Sequence, residues 1–81
     1  MGNVQMQTCV RLCLDCAEIC QACARVMARL SPLTAQWCEF CARICDACTA
    51  ECEKYTGDLM RRRAQACRQC ADARRQMAAA A

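Results

Sequence analysis

The sequence predicts an all-α fold: an antiparallel helical bundle with three helices per chain, at about residues 4–30, 32–55 and 58–80, in one Cys-lined domain over residues 1–81. Three observations carry this. The cysteines of the stretch CVRLCLDCAEICQAC, from Cys9 to Cys23, are spaced by four, three, four and three residues, and Cys38, Cys41, Cys45, Cys48 and Cys52 continue the same rhythm. Alternating threes and fours make a repeat of about 3.5 residues, which gathers the thiols of an α-helix into one row. The chain also holds only two Gly and one Pro, too few for a turn-rich fold. Its two breaks, Ser31-Pro32 and Thr56-Gly57-Asp58, are short, so the helices they join must lie antiparallel and adjacent.

Taking the elements in order, Asn3 is a suitable N-cap for the first helix. With Met6 at a heptad a position, the a positions are Met6, Cys13, Cys20 and Met27, and the d positions are Cys9, Cys16, Cys23 and Leu30. Leu12, Ile19 and Val26 on one flank, and Val10, Ala17 and Ala24 on the other, are expected to pack, while Arg11, Glu18 and Arg25 take the wet face. Ser31 then reads as an N-cap and Pro32 as the first residue of the second helix. That helix carries the stripe Thr34, Cys38, Cys41, Cys45, Cys48, Cys52 and Tyr55, flanked by Trp37 and Ile44. Phe40 falls on the outward face, where an aromatic points to contact with another subunit. Gly57 is expected to end the second helix and Asp58 to cap the third. The third stripe reads Met60, Arg63, Cys67, Cys70, Arg74 and Met77, with alanines at 64, 66, 71, 73 and 78 that permit close helix approach. The up-down-up path places Met6, Tyr55 and Met60 at one end of the bundle and Met27, Thr34 and Met77 at the other. Three helices enclose a tube of thiols poorly, so oligomerisation, as a homodimer, is expected to complete the wall.

Composition narrows the function. Twelve of the 81 residues are cysteine and none is histidine. So many cysteines in a short chain would ordinarily suggest a secreted disulfide scaffold. The helical spacing, the lack of turn residues and the polar opening MGNVQMQT, which has neither a basic start nor an apolar run, point instead to a cytoplasmic protein with reduced thiols. No stretch approaches the roughly 20 apolar residues that span a bilayer. Ten Arg and one Lys against eight acids leave a net charge of +3, too modest to call for nucleic acid. With no histidine and no carboxylate on a thiol stripe, no nucleophile–base pair can be assembled, and the chain does not read as an enzyme.

Thiols three or four residues apart on a helix sit roughly 5–6 Å from one another, and facing rows add more sulfur across the gap. Soft thiolates in overlapping pairs suit Cu(I), which accepts low coordination numbers, better than Zn2+, which asks for four ligands at the corners of a separate tetrahedron. Met6, Met27, Met60 and Met77 are candidate secondary ligands, because thioethers bind Cu(I) without losing a proton; simple filling of the bundle ends explains them equally well. Arg63 and Arg74, which stand where the stripe would carry thiols, either reach out to solvent or offset thiolate charge.

The segments CVRLCLDCAEICQAC, WCEFCARICDACTAECEKY and CRQCADARRQM together resemble the Cys-rich copper storage proteins, four-helix bundles whose core is lined with thiols. The resemblance spans about residues 4–78, and the three helices look like the last three of that fold. It implies storage and sequestration of multiple Cu(I) ions inside the bundle, with Cys9, Cys13, Cys16, Cys20, Cys23, Cys38, Cys41, Cys45, Cys48, Cys52, Cys67 and Cys70 as ligands. This chain departs from the family pattern in lacking the first helix, in lacking the histidines near the bundle end, and in placing Met60, Arg63 and Arg74 where the last helix usually carries more cysteine. The rival readings are a zinc or other soft-metal thiolate module, a thiol redox protein with one or two thiols of low pKa, and a copper-responsive DNA-binding regulator.

Overall fold

The computed structural model describes residues 4–80, with side chains described from residue 7 onward. Asn3 and the side chain of Met6 lie outside the described residues. Three helices make up the fold, α1 (Val4–Ala28), α2 (Thr34–Cys52) and α3 (Asp58–Ala80), and no strand occurs among the described residues. The body is a rod of 43 × 18 × 14 Å.

The third helix keeps the expected bounds, while the first two start or stop a few residues away from theirs, for local reasons. Helix α1 ends at Ala28 rather than near Leu30. The Leu30 N–H donates to the Met27 carbonyl (3.0 Å) and the Ser31 N–H to the Val26 carbonyl (3.2 Å), with Leu30 at φ 53°. This pair of bonds closes the last turn around a left-handed residue, a position glycine usually fills. Ser31 does not cap α2 from the adjacent position. Its hydroxyl accepts the Leu33 N–H at 3.1 Å and its carbonyl accepts the Thr34 N–H at 3.2 Å, so Pro32 and Leu33 form a separate turn before α2 begins at Thr34. At the far end α2 stops at Cys52, short of Tyr55. Gly57, at φ 114°, belongs to the entry of α3: its carbonyl accepts the Arg61 N–H at 3.1 Å, which makes Asp58 a first-turn residue instead of the cap. Asp58 still suits its place, since a carboxylate there faces the positive end of the helix and pairs with Arg61 (2.9 Å) and Arg62 (2.8 Å).

Helix α2 lies in the middle. It packs against both neighbours, while α1 and α3 scarcely meet except through their sulfur atoms. Between α2 and α3 the contact is built from small residues: Ala42, Ala64 and Ala71 are buried, and Thr49 satisfies its buried hydroxyl on the Cys45 carbonyl at 2.9 Å. Two ion pairs, Arg68 with Glu53 and Arg75 with Asp46, tie the rims of this interface. Against α2, α1 turns Ile19 and Val26, both buried, and Leu12, half-buried.

The other flank of α1 departs from expectation. Val10, Ala17 and Ala24 are exposed, and Leu14 beside them is 62% exposed. On α3, Leu59, Ala66, Ala73 and Met77 are exposed in a matching stripe. The physical reason is arithmetic of faces: a helix packed on one neighbour covers one flank, and no element of the described chain covers the second. What results is an open groove of ≈ 250 Å³ whose lining includes Cys13, Ala17 and Cys20 from α1, Cys48 from α2, and Arg63, Ala66 and Cys67 from α3. No described helix is long and apolar enough to cross a membrane.

Candidate metal centre

All twelve cysteines are free thiols, and all of them point into the bundle or onto its groove. The five of α2 form the spine: Cys38, Cys41, Cys45 and Cys48 are 0% exposed and Cys52 1%. Their burial follows from the central place of α2, which is covered on both sides. From α1, Cys9, Cys16 and Cys23 are buried, whereas Cys13 and Cys20, with Cys67 of α3, are half-buried at the groove; Cys70 is half-buried as well.

The α1 and α2 rows meet rung by rung. Sulfur–sulfur distances are 3.7 Å for Cys9–Cys52, 3.5 Å for Cys13–Cys48, 3.2 Å for Cys16–Cys45, 3.7 Å for Cys20–Cys41 and 3.5 Å for Cys23–Cys38. In each pair the two residue numbers have the same sum, as one antiparallel register requires. The match arises because α1 steps by four, three, four, three while α2, read backwards, steps in the same order. From the third side, Cys67 reaches Cys48 at 3.2 Å and Cys16 at 4.0 Å, and Cys70 reaches Cys20 at 3.2 Å.

These rungs merge into groups. Cys20, Cys41, Cys45 and Cys70 have sulfurs that all lie within 4.8 Å of one another, as do those of Cys9, Cys13 and Cys52, and those of Cys16, Cys48 and Cys67. The remaining pair, Cys23 and Cys38, closes the ladder near the α1–α2 turn. Every thiol therefore has a sulfur neighbour, and none stands alone as simple filling.

Burial sets the protonation of the empty ladder. It raises Cys20 and Cys41 from 9.0 to about 11 and Cys52 to about 12, with neighbouring thiols as the further cause. Cys45 and Cys48 at the centre are raised in the same way, as are Cys9, Cys16 and Cys38. At neutral pH these groups are neutral S–H, which packs as a small hydrophobe. Cys70 goes the other way. Burial pushes it up, but hydrogen bonds from Cys20 and Cys45 and the charge of Arg74 outweigh that and leave it lowered.

Two arginines that interrupt the α3 stripe divide the alternatives between them. Arg63 is exposed and holds Nη1 3.9 Å from the Cys13 sulfur, at the mouth of the groove. Arg74 is half-buried; its Nη1 donates to the Met27 sulfur at 3.5 Å, and its buried Nε has no protein partner. Burial opposes its charge, but Cys23, Cys41 and Cys70 around it favour the charge more and raise its pKa. Arg74 is thus a cation set among thiols. Of the methionines, Met60 is buried beside the ladder, while Met27 and Met77 line a cleft at the α1–α2 turn. Ala64 and Ala71 pack closely as their size implies, whereas Ala42 and Thr49 of α2 were missed by stripe-reading alone. The signal was there: small residues recur seven apart at 42 and 49, and again at 64 and 71.

A row of inward thiols is also what defines a known group of proteins, and the family model for copper storage protein (Csp) matches residues 2–79. The chain belongs to the copper storage protein family. No curated protein and no solved structure matches the chain. Copper storage proteins are metal-binding proteins without enzymatic activity, and they bind multiple Cu(I) ions, in keeping with the clustered thiols here. In this member the described residues form an open-sided, three-helix ladder of thiols.

Proposed function

We propose that the copper of this storage protein is held by Cys9, Cys13, Cys16, Cys20, Cys23, Cys38, Cys41, Cys45, Cys48, Cys52, Cys67 and Cys70, acting together as one thiolate-bridged Cu(I) cluster along the bundle. The observation that carries the reading is the continuity of the ladder, in which every sulfur has another within 3.2–3.7 Å. Because the sulfurs of the inner rungs lie between two levels, one thiolate can bridge two ions, and loading can approach roughly one ion per cysteine. Each S–H that becomes a ligand gives up its proton, so filling acidifies the medium. Met27, Met60 and Met77 serve as secondary ligands at the two ends, needing no deprotonation; Met6 belongs to the same reading by sequence alone. Storage through reduced thiols fits a cytoplasmic, reducing compartment.

The oligomer belongs to the same proposal. A second copy of the chain covers the groove, because it is lined by the half-buried thiols Cys13, Cys20 and Cys67 with Arg63 its one charge, and the flanks of α1 and α3 leave Val10, Leu14, Leu59 and Met77 exposed. Anaerobic titration of the reduced protein with Cu(I) against a competing chelator tests the ligand set. Tight binding well past three equivalents per chain is expected, and saturation at or below three overturns the continuous cluster. Sedimentation of the same samples should give a dimer, and a stable monomer in both empty and loaded forms refutes the covered groove.

A further inference from the structure

The twelve thiols are not evenly spread, and one of their groups is unlike the rest. Cys20, Cys41, Cys45 and Cys70 are the one set of four among the described residues whose sulfurs all approach within 4.8 Å. The distances from Cys20 are 3.7 Å to Cys41, 3.9 Å to Cys45 and 3.2 Å to Cys70. A tetrahedral ion with metal–sulfur bonds of about 2.3 Å needs its four sulfurs about 3.8 Å apart. The other groups offer three sulfurs or two, which suit the low coordination of Cu(I) but not a closed tetrahedron.

We propose that Cys20, Cys41, Cys45 and Cys70 form a discrete tetrathiolate site that takes up one tetrahedral divalent ion of the zinc class in the copper-free protein. The four ligands come from all three helices, with Cys41 and Cys45 one turn apart on α2, Cys20 on α1 and Cys70 on α3. One ion there joins α1 to α3, which otherwise scarcely touch. Binding breaks four S–H bonds and forms four metal–sulfur bonds, releasing four protons to the buffer and leaving a site of net charge minus two. The guanidinium of Arg74, one turn beyond Cys70 and set among Cys23, Cys41 and Cys70, opposes part of that charge. The site rests on the reading of the thiols as metal ligands. It differs from that reading in stoichiometry, geometry and ion.

The test uses Co2+ as a visible substitute for zinc, titrated anaerobically into the reduced full-length chain. The expected result is thiolate-to-cobalt charge transfer and tetrahedral d–d bands that saturate at one equivalent and vanish when one equivalent of Zn2+ is added. Cys20→Ser and Cys70→Ser should each weaken Co2+ binding by at least about 100-fold, more than the 10–100-fold typical of an outer-sphere partner. Cys9→Ser, in a separate group, should leave the spectrum and the one-to-one endpoint unchanged. Saturation at two or more equivalents, octahedral bands, or equal loss in all three variants overturns the site. Cu(I) capacity measured on the unsubstituted chain separates the outcomes. Normal copper loading with no cobalt site refutes the divalent ion alone, and failure of both refutes the ligand reading as well.

Discussion

Raising the pH should unfold the empty protein well before it troubles the loaded one. Cys41 and Cys52 are 0% and 1% exposed, and their thiols are raised from 9.0 to about 11 and about 12. A raised acid binds its proton more tightly folded than unfolded. The stability this represents is complete below pH 9 and is lost as pH climbs from 9 through the folded values. At pH 10 the solution stands one unit above the unfolded value and still below both folded ones, so each thiol has lost about one unit's worth, or about 1.4 kcal/mol. The pair therefore removes about 3 kcal/mol between pH 8 and pH 10, and Cys45 and Cys48, shifted in the same direction, add to it. A domain of this length has roughly 4–12 kcal/mol to lose. Urea denaturation followed by far-ultraviolet circular dichroism, under argon with reductant, measures the fall. Tyr55 is also raised, mainly by burial, so the series is repeated with Tyr55→Phe to isolate the thiols. In the Cu(I)-loaded protein the ligands have already lost their protons, and the alkaline limb should be flat. An empty protein equally stable at pH 8 and pH 10 refutes the picture of a neutral, buried thiol core.

Three further tests probe the frame around the ladder. Leu30→Gly should stabilise the empty protein by about 0.5–1 kcal/mol in thermal or urea melts, because Leu30 sits at φ 53° with 87% exposure and has strain to lose but little packing. Ala71→Leu should cost about 1–3 kcal/mol, since Ala71 is 0% exposed between α2 and α3 and has no room for three more carbons. A double-mutant cycle on Arg75 and Asp46 should return a coupling of about 0.2–1 kcal/mol that shrinks with added salt, as both side chains are about half exposed.

How much of this was legible in the sequence depends on which kind of signal carried it. The three helices and their inward rows were plain, because a period near 3.5 persists across Cys9–Cys23 and Cys38–Cys52 and nothing else in the chain competes with it. Register was written there too, in the reversal of step order between the two rows, though it becomes visible only when one row is read backwards. Helix ends were less legible. Ser31-Pro32 and Gly57 are strong local signals, but each can serve either the helix before it or the one after, and hydrogen bonds of single residues decided between them. The exposure of Val10, Ala17 and Ala24 was not legible at all. A heptad flank records which residues tolerate burial, whereas actual burial depends on whether another element arrives to cover them.

The thiol ladder resolves a conflict that small metal-binding domains usually face. A short chain whose ligands are charged when empty cannot pack them, and such domains commonly unfold without metal. Here burial holds most of the proposed ligands neutral, so the same atoms proposed to bind the ion also serve as the apolar core while it is absent. The arrangement still leaves α1 and α3 weakly joined, held to one another chiefly by sulfur contacts at 3.2–4.0 Å. Ions that bridge Cys16 to Cys67, or Cys20 to Cys70, would turn these contacts into bonds between the two outer helices. Stability should then follow free copper by mass action, rising by about 2.7 kcal/mol once the free ion stands at one hundred times its dissociation constant. Copper withdrawal has the reverse effect: as ions leave, α1 and α3 are released from each other first, and the half-buried thiols at the groove are the first to be uncovered.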